Sequence, residues 1–158
     1  MERIIKFRGK NAATGLWEYG CYYIARLQDT TGHIIFKDTP STVPSGNKDN
    51  AFEFRPEEVA VCIPETIGQF TGLKDIHGNE IYEGDIVRWD DCSRGKYWRF
   101  AVIEINPDIR FNCARVTAVN GIKNSHHGII DYANFSYKKT EKYLEIVGNI
   151  FVNLTIKA

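Results

Sequence analysis

The chain has 158 residues, of which 43% are hydrophobic and 25% charged, with 20 basic and 20 acidic side chains. This composition is typical of a globular domain and argues against an intrinsically disordered protein. A formal net charge of zero provides no overall field to attract nucleic acid or an anionic membrane, although a local basic patch is compatible with it. Aromatic residues reach 13%, a bias that favours strands over helices.

The N-terminus and the cysteines favour a cytoplasmic location with no membrane partner. The opening Met-Glu-Arg-Ile-Ile-Lys-Phe-Arg lacks the long apolar run of a signal peptide. No stretch approaches the roughly 20 apolar residues that a membrane-spanning helix needs. The cysteines form no Cys-x-x-Cys pair, so we expect small buried residues in a reducing compartment. They are Cys21, Cys62, Cys92 and Cys113.

Short strands separated by turns are predicted for the first third of the chain. Alternating apolar and polar residues indicate strands at 4–8, 16–27 and 33–37. Residues 38–51 are rich in Pro, Ser, Asn and Asp, and predict a loop. We interpret this loop as a surface excursion rather than a flexible binding loop, because long polar loops are often simply solvated.

A second group of short elements leads towards the middle of the chain. Residues 52–54 predict a strand, and 55–58 a single helical turn with a proline at its first position. Residues 59–63 predict a buried strand, which Pro64 terminates.

Glycines and acidic residues punctuate the central stretch, residues 65–89. We interpret the glycines as turn residues rather than as a ligand-binding loop; they are Gly68, Gly72, Gly78 and Gly84. Residues 80–82 predict a brief strand. Asp85 is expected to hold the following turn by accepting hydrogen bonds from nearby backbone N–H groups, before a strand at 86–89.

The C-terminal half also predicts strands and turns. Residues 96–105 predict a long strand that pairs with 86–89, and 109–119 a further strand. Residues 124–128 predict a loop, whereas 129–137 fit either a short strand or a helical turn. Asn-Gly at 120–121 predicts a hairpin turn. Near the end of the chain we predict a core strand at 143–147, a turn at 148–149 and a segment at 150–152 that pairs or packs with the rest.

This spacing of strands predicts a mainly β protein with little helix, built as a sandwich or barrel. We divide it into an N-terminal β meander over 1–64, including the polar loop 38–51, and a C-terminal barrel-like domain over 65–158.

Neither acidic nor metal-binding patterns indicate an enzyme. The clustered acids follow turns, where Asp and Glu are already expected, so we assign no catalytic residue; these acids are Glu83, Asp85, Asp90 and Asp91. The histidines His77, His126 and His127, taken with the cysteines, fit no zinc-ligand spacing. We therefore expect no metal and no cofactor.

One hairpin carries cations interleaved with aromatic side chains, an arrangement that binds nucleic acid in small β-barrels. The candidate contacts are Arg88, Arg94, Lys96, Tyr97 and Arg99. Alternation along the strand puts Tyr97 and Arg99 on one face and Trp98 and Phe100 on the other. The competing interpretation is that Trp98 and Phe100 fill the core while Arg99 is solvated.

Several motifs resemble those of the YopX family, whose members are small proteins of phages and integrated prophages. The motifs are Glu-Thr-Ile-Gly-Gln-Phe-Thr-Gly-Leu-Lys-Asp at 65–75, Ile-Tyr-Glu-Gly-Asp-Ile-Val at 81–87, Ile-Val-Gly-Asn-Ile at 146–150, Gly78 and Ile-Lys-Phe-Arg at 5–8. The resemblance spans nearly the whole chain. It implies a mostly β protein with an SH3-like barrel portion, an oligomer and host-cell cytoplasm, but no activity. The chain departs from the family pattern in its long polar loop and near His126 and His127.

We therefore predict a non-enzymatic binding or assembly module that acts on another macromolecule or on itself. Its partner is then a second copy of the chain or another protein, because aromatic side chains on short strands suit subunit pairing. The alternative is a nucleic-acid-binding β-barrel that uses the hairpin at 88–100.

Overall fold

The computed structural model describes residues 4–26, 28–37, 58–91, 97–117 and 121–152. The predicted loop at 38–51, the predicted strand at 52–54 and most of the predicted helical turn at 55–58 lie outside these residues. The described chain falls into two compact units, Met1–Gly68 and Gln69–Ala158.

Strands dominate the described residues, as the composition predicts. In chain order they are β1 (Phe7–Lys10), β2 (Trp17–Arg26), β3 (Thr31–Lys37), β4 (Val59–Val61), β5 (Gly68–Lys74), β6 (Glu80–Tyr82), β7 (Asp85–Asp90), β8 (Trp98–Ile105), β9 (Ile109–Thr117), β10 (Gly121–Asp131) and β11 (Glu145–Asn149). They form two antiparallel sheets, of six and five strands. The helical elements described are α1 (Thr140–Tyr143) and short 3-10 turns at Pro64–Thr66 and Tyr132–Asn134.

The N-terminal unit is a meander in which β1, β2, β3 and β4 pair in succession. Because side chains alternate across a strand, one face of this meander carries the core of the unit. Ile35, Ala60 and Cys62 are buried there, with Ile67 packed against them. The remaining alternate residues of these strands lie on the opposite face of the sheet, which we call the outer face.

The five-stranded sheet lies in the C-terminal unit, in the order β10-β9-β8-β7-β11. Strands β7 to β10 follow one another as a meander, and β11 returns to pair with β7. Aromatic rings fill the core of the unit: Trp89 meets Phe135 edge-on at 5.3 Å, and Phe111 stacks on Phe135 at 4.2 Å. Such contacts add to the free energy of simple area burial.

The prediction of a mainly β protein with little helix is confirmed, whereas the described strands do not close into a barrel. Strands β10 and β11 remain at the two edges of the five-stranded sheet. The brief strand predicted at 80–82 is found with those bounds as β6.

Several local predictions are wrong. The strand predicted as buried at 59–63 ends at Val61, which is 57% exposed. Residues 124–128 belong to β10, because pairing with β9 continues on both sides of a register shift between Asn124 and Ile129, which accommodates the turn-forming residues. Residues 148–149 lie in β11, and its pairing with β7 moves the turn to 150–152. The first strand, predicted at 4–8, begins at Phe7 and ends at Lys10, because β2 pairs with it from Gly20 to Trp17.

Gly84 is the glycine whose replacement we expect to cost most. Its φ is +83°, and an added Cβ would lie 2.9 Å from a ring carbon of Phe151. Gly72 has the same φ of +83° but nothing within 4 Å of an added Cβ. Urea unfolding of Gly72→Ala should show a loss of about 1 kcal/mol from backbone strain alone. Gly84→Ala should lose roughly 2–4 kcal/mol, because strain and overpacking add. Equal losses in the two variants would contradict the packing argument.

Candidate binding surfaces

The turn between β5 and β6 is organised by Asp75, a residue that is only 1% exposed. Its carboxylate accepts hydrogen bonds from the backbone N–H groups of His77 at 2.9 Å and Asn79 at 2.8 Å, and from the Asn79 side-chain amide at 3.2 Å. It also accepts one from the N–H of Ile146 in β11, at 3.3 Å. The carboxylate therefore ties the turn to a strand 71 residues further along the chain.

The pKa of Asp75 reflects two opposing effects. Burial would raise the pKa, but the hydrogen bonds from Asn79, Ile146 and His77 stabilise the charged form and hold the pKa below its usual value. The Asp75 carboxylate thus stabilises the backbone of the turn and of β11. The sequence suggested only a turn here, because the contact with Ile146 depends on the tertiary fold.

The second turn of the central stretch, 83–85, is held as the sequence predicted. Asp85 is buried and accepts a hydrogen bond from the backbone N–H of Tyr82 at 2.8 Å. Gly84 donates its N–H to the carbonyl of Ile103 at 2.8 Å and accepts from the N–H of Ile150 at 2.9 Å. The turn is therefore bonded both to β8 and to the turn that follows β11.

The other acids of this region also have structural partners. Glu83 accepts a hydrogen bond from the N–H of Ile105 at 3.4 Å, and Asp90 accepts one from the N–H of Tyr97 at 3.0 Å. Asp91 forms an ion pair with Arg99. The structure thus places these acids where each bonds to backbone or to an arginine.

The hairpin of β7 and β8 separates the candidate nucleic-acid contacts. Arg88 lies directly opposite Phe100, whereas Trp89 lies opposite Arg99, so the two arginines are on different faces of the sheet. Tyr97 is 55% exposed, and Arg99 lies over its ring at 5.7 Å. Arg94 and Lys96 lie outside the described residues.

The interpretation that Trp98 and Phe100 fill the core is wrong. The register places Ala101 opposite Val87, and these two are buried in the core, so the alternate residues Trp98 and Phe100 face away from it. Trp98 is 39% exposed, and the Arg88 guanidinium lies over its ring at 4.5 Å. Arg88 is also paired with Glu145 at 2.7 Å. Carboxylates therefore neutralise both described arginines of the predicted site.

A second row of cations and aromatic rings lies on the outer face of β1 and β2, and sequence reasoning missed it. Arg8 lies opposite Tyr19, and Lys10 opposite Trp17. The Arg8 guanidinium lies over Trp17 at 4.7 Å, Lys10 Nζ over Trp17 at 5.6 Å, and Lys6 Nζ over Tyr19 at 5.9 Å. We call this set of five residues the cation–aromatic row. In the sequence, this row is indicated by cations at every second residue, 6, 8 and 10, and by aromatic residues at every second residue, 17 and 19.

The same outer face continues as an apolar surface across β3 and β4. Tyr23 lies opposite Ile34, which lies opposite Val61. Next to Lys6, a groove of about 320 Å³ opens along this face. Its lining residues are Ile4, Ile5, Lys6, Gly20, Cys21, Phe36 and Lys37.

The cysteines divide into two kinds. Cys62 and Cys113 are buried as predicted, and burial raises the pKa of both thiols, which keeps them neutral and unreactive. Cys21 is exposed, contrary to the prediction, because alternation along β2 turns it to the outer face. Cys92 lies outside the described residues, as do the side chains of His126 and His127. The described residues contain no cluster of three or more potential metal ligands.

These surfaces define a class of small, mainly β protein whose sheets present aromatic side chains to solvent. The chain belongs to the YopX family: the family model described as "YopX protein" matches residues 6–154, nearly the whole chain. No curated protein matches it. Within the described part of the chain, no helix is long or apolar enough to cross a bilayer.

We expect Asp75→Asn to destabilise the protein by about 1–3 kcal/mol at neutral pH, because an amide cannot accept every hydrogen bond that the carboxylate accepts. The folded-state pKa of Asp75 lies below its unfolded value of about 3.9. The stabilisation is therefore present above that pH and is lost as the pH falls through the folded-state pKa.

Urea unfolding of both proteins between pH 7 and pH 3 checks this expectation. The difference in unfolding free energy should shrink towards the acid end. Asp108→Asn, at an exposed turn of the same unit, is the matched control and should change stability little. An Asp75 variant as stable as this control would show that the carboxylate does not hold the turn.

Proposed function

We propose that this protein is a non-enzymatic binding or assembly module, of phage or prophage origin, that acts in the host cytoplasm on another macromolecule or on itself. The observation that carries the proposal is the outer face of the N-terminal meander. Tyr19 is 40% exposed, and Tyr23 and Val61 are each 57% exposed, on a single continuous sheet surface.

A sheet surface of this kind is suited to association. Contiguous exposed apolar surface on a folded protein marks contact sites, and tyrosine is enriched in interfaces because its ring is large and rigid with a polar tip. Ile34 and Phe36 lie half-buried between the exposed residues and extend the apolar area. A partner laid on this face would remove all of these side chains from water.

The acids of the central stretch support a non-enzymatic role. A catalytic carboxylate needs a substrate within hydrogen-bond reach and a pKa suited to proton transfer. Asp75 is instead buried with a lowered pKa, and Asp85 is buried against the backbone of β6. Replacing either should alter stability before it alters any activity.

We also propose that the C-terminal unit is an SH3-like open barrel, the architecture that the family resemblance implies. Its support is the path of the chain: a four-strand meander, a 3-10 turn at Tyr132–Asn134, and a last strand that returns to the first. SH3-like units follow the same path.

A second candidate function is nucleic-acid binding through the hairpin of β7 and β8. It is favoured by the stacking of Arg88 on Trp98 and by the exposure of Tyr97 on the opposite face of the hairpin. Filter binding at low salt tests it: Trp98→Ala and Tyr97→Ala should each weaken binding by roughly 5-fold or more, because a stacked base loses its platform. Affinity that is unchanged in both variants would remove the hairpin as a site.

The main proposal predicts contacts centred on Tyr23. A photo-crosslinking amino acid placed at position 23 in cells should give adducts with a second copy or another macromolecule, and sedimentation between 1 and 100 µM should show whether the chain self-associates. Position 129, which is 54% exposed in the other unit, is the matched control. A monomer at 100 µM whose position 23 crosslinks no better than position 129 would contradict the proposal.

A further inference from the structure

We infer that the partner of the outer face is a second copy of this chain, and that the two copies pack sheet against sheet through β2 and β3. The inference rests on the proposed binding function and names the partner of that same face. It commits to a two-fold symmetric dimer in which Tyr23 of one copy contacts Ile34 of the other.

The centre of the outer face is uncharged. Two rows of side chains cross β2, β3 and β4; they are Tyr23, Ile34 and Val61 in one row, and Cys21, Phe36 and Val59 in the other. We call these six residues the uncharged patch. Arg26 and Lys37 of the same strands alternate to the opposite face. Covering the patch therefore takes no ionised group of these strands out of water, which keeps the cost of desolvation low.

The relief of the patch suits contact with a copy of itself. Tyr23 on β2 is 57% exposed, whereas its cross-strand neighbour Ile34 on β3 is half-buried. The sheet is thus high along β2 and low along β3 at this level. A projecting tyrosine that enters a shallow apolar site is a frequent anchor of protein interfaces. Each copy offers both the projection and the site.

This relief selects one symmetry axis. A two-fold axis that runs parallel to the strands, between β2 and β3, places β2 of each copy over β3 of the other, so that Tyr23 meets Ile34 twice. An axis across the strands would place β2 over β2 and bring the projecting side chains of both copies together. On the first axis, the cation–aromatic row lies at the rim, where charged side chains keep their contact with water.

A second copy suits this face better than an unlike chain. Electrostatic complementarity selects between partners, and an uncharged patch provides no pattern of charge for an unlike chain to match. Two sheets with the same right-handed twist pack face to face at about 30°, and two copies of one sheet share that twist. Because a single mate covers the whole patch, the contact is isologous and the assembly closes at two copies.

The size of the face determines how tight the dimer is. At about 4.8 Å between strands and 3.3 Å per residue, β1 to β4 cover roughly 400 Å² before the relief of the side chains adds to it. A standard interface buries about 800 Å² on each partner, and smaller ones belong to transient complexes. We therefore expect a reversible dimer with a Kd on the order of 10–100 µM.

Sedimentation equilibrium up to about 300 µM protein tests the dimer. The wild type should fit a monomer–dimer equilibrium. Tyr23→Lys should raise the Kd by roughly 10-fold or more, because symmetry places the unpaired charge in both halves of the interface. Tyr97→Lys changes a tyrosine of nearly equal exposure, 55%, in the other unit, and should leave the Kd unchanged.

A mixing experiment tests the contact between positions 23 and 34. Ile34→Glu alone should also weaken self-association. An equimolar mixture of Tyr23→Lys and Ile34→Glu should dimerise more tightly than either variant alone, because the introduced ammonium and carboxylate meet in one half of the interface. A fluorophore on one variant lets sedimentation follow the mixed dimer, and thermal unfolding establishes that each variant is folded.

Chemical crosslinking provides a second measurement that does not depend on the folding of Ile34→Glu. Cys21 is exposed on β2 one row from Tyr23, so the two Cys21 thiols lie close to the axis. In a Cys92→Ser variant, a short bis-maleimide should join two copies through Cys21. Adding Tyr23→Lys to this variant should abolish the covalent dimer.

Three results would overturn the inference: a wild-type monomer at about 300 µM, a dimer that Tyr23→Lys does not weaken, or a mixture of folded variants that dimerises no better than each alone. Crosslinking of position 23 to another macromolecule in cells would then leave the proposed binding function standing. If position 23 crosslinks to nothing and the chain is a monomer, the proposed function is also wrong.

Discussion

The C-terminal unit depends on a buried carboxylate that gathers backbone donors from two distant segments. Two N–H groups of a tight turn and one from β11 converge on Asp75, together with the side-chain amide of Asn79. Left without an acceptor, each buried donor would cost about 1–3 kcal/mol, and a charged acceptor is stronger than a neutral one. The desolvation of the carboxylate is offset by these bonds, which explains why its pKa is lowered despite its burial.

Fixing β11 also fixes the surface of the sheet beside it. Glu145 immediately precedes Ile146, and in the pairing of β11 with β7 it lies opposite Arg88. The bond from Ile146 to Asp75 therefore helps to hold Glu145 where it neutralises Arg88 at 2.7 Å. A basic and aromatic hairpin in the sequence thus becomes a balanced surface in the fold. The turn that organises the unit has a direct effect on what the neighbouring sheet can bind.

The sequence predicts the strands better than the surfaces, and the reason is register. Alternation and turn residues locate β6, β7 and β8 closely, because both signals are local. Which set of alternate residues faces the core cannot be inferred from a local signal. Trp98 is predicted to be a core residue, but the pairing of Val87 with Ala101 places the other alternate set in the core. Likewise, Lys6 and Tyr19 meet only because β1 and β2 pair with Gly20 opposite Phe7. A shift of one residue would turn either set to the opposite face.

A net charge of zero therefore says little about how the charges are arranged. In the N-terminal meander, alternation sends Lys6, Arg8 and Lys10 to the outer face and Glu18 to the other. The field near a sheet is set by the charges on its own face, because at physiological salt the influence of more distant exposed charges is screened within about 8 Å. A neutral chain can thus collect basic and aromatic side chains on one face of a sheet. Composition alone therefore does not show which side chains share a face, because that is decided by the pairing of two short strands.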